Sequence, residues 1–207
     1  MASVFGDSGI SRAQVGAMMS PGARSGQVYG PLVIGTTAGT TVAADTAYCH
    51  SLIVPETESY VGLQITVQAS VAAVLGKMAL YYAAPNGQIG SLVAACSGEA
   101  DMNAAAMTNN QLNFASAQTL RAGVYWVACK FNGAAIPYGF GGGVYGGGLV
   151  FSYGAPSLSV YVRAPATSVY TTRATFASVY ADAFSAAPTL TFGTGSPINP
   201  IMGIVRA

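Results

Sequence analysis

The single histidine, His50, stands between Cys49 and Ser51 in the stretch "TAYCHSLIV". A cysteine or serine nucleophile needs a base within hydrogen-bond reach. Along an alternating strand adjacent residues point to opposite faces, so neither neighbour shares a face with His50. A dyad would need a partner distant in sequence, and His50 is expected to be an ordinary strand histidine. Cys49, Cys96 and Cys129 are odd in number, lack C-x-x-C spacing and lie in apolar stretches. They read as small buried hydrophobes, in keeping with assembly in a reducing cytoplasm. Glu56 and Glu58 share a face of an extended chain, but Pro55 before them favours a solvated loop. Nothing singles out two carboxylates facing each other across a cleft, as glycoside hydrolysis requires. His, Cys and carboxylate nowhere cluster in the sequence, so no metal site, no catalytic residue and no cofactor is expected.

"GGGVYG", residues 141–146, formally matches G-x-G-x-x-G. A dinucleotide-binding loop joins a strand to a helix and is followed by an acid about 20 residues on. Here more glycine follows, then "LVFSYG", and Arg163 and Pro165 stand near that spacing. The stretch "FNGAAIPYGFGGGVYGGG" reads instead as a long uncharged loop carrying Tyr138, Phe140 and Tyr145. Exposed aromatics on a free surface imply a contact. These three are candidate contacts for a sibling subunit, the preferred reading, or for a glycan whose sugar rings stack on them.

The elements that must position such residues come from composition and periodicity. The chain has 207 residues, 52% hydrophobic and only 7% charged, with a net charge of +1. Soluble domains are typically about a quarter charged, and charge keeps like molecules apart. Much of this surface should therefore face other protein, and a homo-oligomer is expected. Singly scattered Arg and Lys argue against nucleic acid as a partner. The best apolar run, "VAAVLGKMALYYAA", is broken by Lys77 and stopped by Pro85, too short for membrane insertion. No basic start with an apolar h-region marks a signal peptide.

Residues 1–44 are rich in Gly, Ser, Ala and Thr, are broken by Pro21 and Pro31, and lack an apolar period. They read as an extended N-terminal docking arm. From Asp45 onward, runs such as "SYVGLQITVQA", "VLGKMALYYA", "VYWVACKF" and "SLSVYVRA" alternate with turn clusters. Leu63, Ile65 and Val67 point one way, Gln64, Thr66 and Gln68 the other. Asn86-Gly87 and Asn132-Gly133 are tight-turn signals. "EADMNAAAMTNNQL" is the one helix-like stretch, equally readable as a loop. About eight or nine short strands at this spacing predict an all-β fold: a jelly-roll-like antiparallel β-sandwich over residues 45–207. Trp126 shares a strand face with Val124 and Ala128, opposite Tyr125, Val127, Cys129 and Phe131. Both faces are apolar, as in a strand covered on both sides, so Trp126 is expected in the core.

Five segments carry a family resemblance: "AYCHSLIVPE", "YVGLQITVQA", "VLGKMALYYAAPNGQIGSLVAA", "LRAGVYWVACKF" and "PTLTFGTGSPINPIMGIVRA". In this order and spacing they resemble a β-sandwich module of bacteriophage virion proteins, among tail fibre, head fibre and decoration components. The resemblance covers most of the chain apart from the arm. The "GGGVYGGG" stretch and the scarcity of charge depart from it. It implies a non-enzymatic virion structural protein, assembled in the host cytoplasm. It further implies a homotrimer, docking on other virion proteins through residues 1–44, and host-surface glycan as a partner. The rival expectations are a capsid or tail cement protein without host binding, and a carbohydrate-binding module of a secreted enzyme.

Overall fold

The computed structural model describes residues 28–29, 33–39, 41–54, 57–85, 88–106, 108–141, 148–150, 161–162, 173–192, 200 and 202–207. Among these the chain is all β, with turns and no helix. The strands are β1 (Val28–Tyr29), β2 (Val33–Gly39), β3 (Thr46–Val54), β4 (Glu58–Ala69), β5 (Leu75–Ala83), β6 (Ile89–Ala95), β7 (Ala100–Asp101), β8 (Asn109–Leu120), β9 (Gly123–Phe131), β10 (Ile136–Gly141), β11 (Gly148–Val150), β12 (Tyr161–Val162), β13 (Arg173–Ala177), β14 (Thr191–Phe192) and β15 (Met202–Arg206). One sheet runs β1-β15-β4-β10-β2-β11-β12, with β8 also on β4. The other runs β14-β13-β3-β9-β5-β6, with β7 on β5. Every strand pairing in both sheets is antiparallel.

Period-two alternation places the core between the sheets. Leu63, Ile65 and Val67 of β4 are fully buried with Leu112 and Phe114 of β8. Opposite them lie Tyr48 and Leu52 of β3, Met78 and Leu80 of β5, and Val127, Cys129 and Phe131 of β9. The other face of the second sheet is apolar too. Ala47, Cys49, Ala79, Tyr81, Trp126 and Ala128 form a second cluster with Phe176, Phe184 and Leu190. Phe184 and Leu190 belong to residues 178–190, an irregular strap laid across that face. A strand sealed on both sides must be apolar on both sides, and this accounts for the composition of "VYWVACKF".

Several sequence expectations change in detail. Asn132-Gly133 does not close a hairpin, because β9 and β10 belong to different sheets. The chain crosses between layers there, and the Asn132 side chain holds a second turn. Its Oδ1 accepts the Leu75 N–H at 2.8 Å and its Nδ2 donates to the Ala73 carbonyl at 3.3 Å. Ala73 itself sits at φ 59°, a left-handed conformation uncommon outside glycine and the Asx residues. Asn86-Gly87 lies outside the described residues, but Ala84 N–H donates to Gln88 O at 2.8 Å around it, between β5 and β6. "EADMNAAAMTNNQL" forms β7, turns and the start of β8 in place of a helix.

Two further segments differ. The stretch expected as one loop after Phe131 contains β10 and β11, paired antiparallel with β2 at Phe140↔Thr37 and Leu149↔Ile34. Within the expected arm, Val28–Tyr29 pairs with β15 and Val33–Gly39 pairs with both β10 and β11. Over these residues the arm is extended, as expected, and hydrogen-bonded into the sheet; residues 1–27 lie outside the described residues.

Trp126 is 1% exposed, whereas Val124, two residues earlier on the same strand face, is 49% exposed. Truncating a large buried aromatic costs roughly 3–5 kcal/mol. Trp126→Ala should lower the free energy of unfolding by that amount in urea titration, and Val124→Ala should change it by less than about 0.5 kcal/mol.

Candidate functional site

The densest polar constellation among the described residues lies where the strap crosses the second sheet. Antiparallel register puts Lys77 of β5 directly opposite Lys130 of β9. Like charges so placed repel, and Lys130 is fully buried. The strap supplies the compensation. Lys130 Nζ donates to Ser178 Oγ at 3.1 Å, Val179 O at 2.8 Å and Asp182 O at 2.9 Å, and lies 4.6 Å from the centroid of the Phe184 ring. An ammonium has three N–H donors, and all three are met.

Lys77 is drawn toward the other end of the strap. Its Nζ donates to Tyr180 O at 3.1 Å, lies 4.5 Å from the Tyr180 ring centroid and faces Glu99 Oε1 at 4.0 Å. The Tyr180 hydroxyl donates to the same Glu99 oxygen at 2.8 Å. Asp45, at φ 53° in the turn before β3, accepts the Ser178 N–H through its carbonyl at 3.1 Å and the Tyr180 N–H through Oδ1 at 2.8 Å. Farther along, the Tyr81 hydroxyl donates to Ser185 O at 3.0 Å, and the Leu92 N–H donates to Ala186 O at 3.0 Å.

A lysine whose pKa is lowered can in principle act as a nucleophile or base. Burial lowers that of Lys130, and the charge of Lys77 lowers it further, while Asp182 and Asp45 pull it back up. Geometry decides against such chemistry: the nitrogen is fully buried and its hydrogen bonds all go to the strap. The arrangement is a clasp, and what it does is hold residues 178–190 on the sheet.

His50 is buried on the inner face of β3, and its Nε2 accepts the Met202 N–H of β15 at 3.1 Å. It thereby ties one sheet to the other. Cys49 and Cys129 are buried free thiols, and Cys96 is a half-buried one. Burial pushes all three thiols up, Cys96 to about 12, the opposite of an activated thiolate. Glu58 corrects the expectation of a solvated loop. It begins β4, and β15 brings Arg206 to it at 3.1 Å, leaving the carboxylate side chain 7% exposed. Glu56 lies outside the described residues.

Of the three aromatic candidates, Tyr138 and Phe140 fall on β10, in register with Gly39 and Thr37 of β2. Their side chains, and Tyr145 altogether, lie outside the described residues. Sequence reasoning missed the two lysines. The signal was present: Lys77 and Lys130 fall on the strand faces that carry Tyr81 and Trp126, where a charge on an apolar face demands a partner. The partners could not be read, because they are mostly main-chain carbonyls. No protein-family model matches the chain, and no curated protein matches it.

The buried acids set an alkaline limit. Cys49, Cys129 and Cys96 are raised by burial from an ordinary 9.0, and Tyr81, Tyr125 and Tyr180 from 10.0. Unfolded, these groups lose protons above those values; folded, they keep them. The unfolded state then binds fewer protons, and stability falls as pH rises. Lys130, lowered from 10.5, acts in the opposite sense but is a single group. The melting temperature should hold below pH 9 and fall progressively above it. In the double variant Cys49→Ala, Cys129→Ala that decline should be shallower, as followed by circular dichroism.

Proposed function

We propose that the chain is a non-enzymatic structural protein of a tailed bacteriophage or phage-like particle. It serves as a fibre, spike or decoration component assembled in the host cytoplasm and carried on the virion. Its N-terminal residues dock it on other virion proteins, its copies associate as a homotrimer, and its β-sandwich is displayed toward host-surface glycans.

The observation that carries this reading is where the charge goes. The chain has eight Lys and Arg and seven Asp and Glu. Lys77, Lys130, Glu99 and Asp45 are spent on the clasp, and Glu58 and Arg206 on each other. By contrast β8 runs twelve residues, Asn109–Leu120, without a charge or a proline. It pairs with β4 on one side; on the other, among the described residues, it meets Cys96 and Ser97 and holds the Asp101 carbonyl through Asn110 Nδ2, and no strand ladder continues along it. Strand edges of free monomers are usually blunted by charge, proline or a covering element. An unblunted edge fits a chain that works among closely packed neighbours, as virion subunits do. The resemblance of its ordered segments to phage virion modules favours the same reading.

The test is the particle itself. Immunogold labelling against this chain should decorate particles purified from cells producing it, and light scattering of the isolated protein should give the mass of a trimer. A chain lacking residues 1–27, which keeps β1 and β2, should retain a cooperative β melt and be absent from particles. Unlabelled particles would refute the proposal.

A further inference from the structure

His50 is the only histidine of the chain, and it is fully buried between the sheets. The Met202 N–H of β15 donates to its Nε2 at 3.1 Å. A main-chain N–H can only donate, so Nε2 must present its lone pair and carry no proton. The ring is therefore held in the neutral form, with its one N–H on Nδ1. A proton added to Nε2 would set one N–H against another inside the core, and the Met202 amide would lose its acceptor.

The strands around His50 supply no negative charge to a protonated ring. In register with it stand Val127 of β9 and Arg173 of β13. On the same inner face lie the hydroxyls of Tyr48 and Tyr125 and the thiol of Cys129. Burial raises Tyr125 and Cys129 from ordinary values of 10.0 and 9.0, so both are uncharged near neutral pH. Across β3, β4, β9, β13 and β15 the only carboxylate is Glu58. Arg206 holds it at the opposite end of β15 from Met202. Besides Arg173 and Arg206, the cation on these strands is Lys130, which is engaged by the strap on the outer face. Burying a positive charge here is unfavourable, because burial disfavours the charged form and no anion on these strands offsets it.

We propose that His50 is an acid-sensitive latch between the two sheets. Above about pH 6.5 a free imidazole is neutral, and closing the latch displaces no proton. Below that pH an open or unfolded chain takes up a proton that the closed form refuses. The open form then binds more protons, so closure weakens as pH falls. Histidine is the side chain that ordinarily titrates between pH 5 and 8, and a chain with one histidine concentrates the response in one group. What loosens is β15, which carries β1 through Val28↔Val205 and Tyr29↔Ile204. The level melting temperature expected below pH 9 therefore has an acid edge as well.

The experiment follows the full-length protein from pH 7.5 to 5.0, with the histidine ring isotope-labelled so that its single Cε1–H resonance is seen by NMR. The resonance should keep its neutral position throughout. Protection of the Met202 amide, relative to its exchange rate in a free chain, should fall roughly twentyfold between pH 7 and 5. The melting temperature should drop by about 4–8 °C over the same range. His50→Gln keeps an acceptor oxygen but takes up no proton, and should lose most of that drop. A ring that titrates near pH 6.5 in the folded protein would overturn the latch. So would a Met202 amide whose protection ignores pH, or a His50→Gln variant that declines as steeply as the parent. If His50→Gln fails to fold, the ring resonance and the Met202 amide of the parent decide alone.

Discussion

The second sheet depends on one buried ammonium. Lys130 sits near the end of β9, in its buried stretch and opposite another lysine, in a position where a charge without partners would be untenable. It is tolerated because Val179 O, Asp182 O and Ser178 Oγ converge on it. The dependence is mutual. Without the strap the ammonium has no acceptors, and without the ammonium the strap's inward carbonyls have no donor. The apolar face carrying Trp126, Tyr81 and Cys49 is covered as a consequence.

This coupling explains why the sheet looks as it does. Packing of the two sheets accounts for Leu63, Ile65, Val127 and Phe131. It does not account for Trp126 and Tyr81, which face away from that interface. They are buried because Phe184 and Leu190 of the strap cover them, with Tyr81 meeting Phe176 and Phe184 edge to face at 6.2 and 6.5 Å. Asp45 and Glu99 keep the strap's early residues over the lysines, and Tyr81 and Leu92 hold its later ones. The strap therefore makes an irregular third layer on a two-sheet body.

Much of the fold was legible because strand periodicity is a property of side chains. Leu63, Ile65 and Val67 alternate with Gln64, Thr66 and Gln68, and the apolar set lies inward. The two-sided apolar pattern around Trp126 implied cover on both faces, which the strap provides. Crossings between sheets were not legible. Asn132-Gly133 has the composition of a hairpin turn, yet it links different sheets, because a turn signal fixes local backbone and not the partner of the next strand. The clasp was half legible: its lysines are visible in the sequence, but any residue can supply a main-chain carbonyl. The tie between His50 and Met202 was hidden for a related reason, since the donor is a main-chain N–H brought from the other sheet.

The same economy links fold and proposed role. Much of the sparse charge among the described residues is engaged within the molecule, in the clasp and in the Glu58–Arg206 pair, as suits the proposed place among close neighbours. Hydrogen exchange on Lys130→Met tests the clasp most directly, since methionine keeps an unbranched apolar side chain of nearly the same length and removes the charge and its donors. The account predicts that the amides of Tyr180 and Leu92, both hydrogen-bonded in holding the strap, lose protection while those of β4 between the sheets keep theirs. If Tyr180 and Leu92 stay as protected as in the parent, the strap is held by apolar packing alone, and the central place given to Lys130 is wrong.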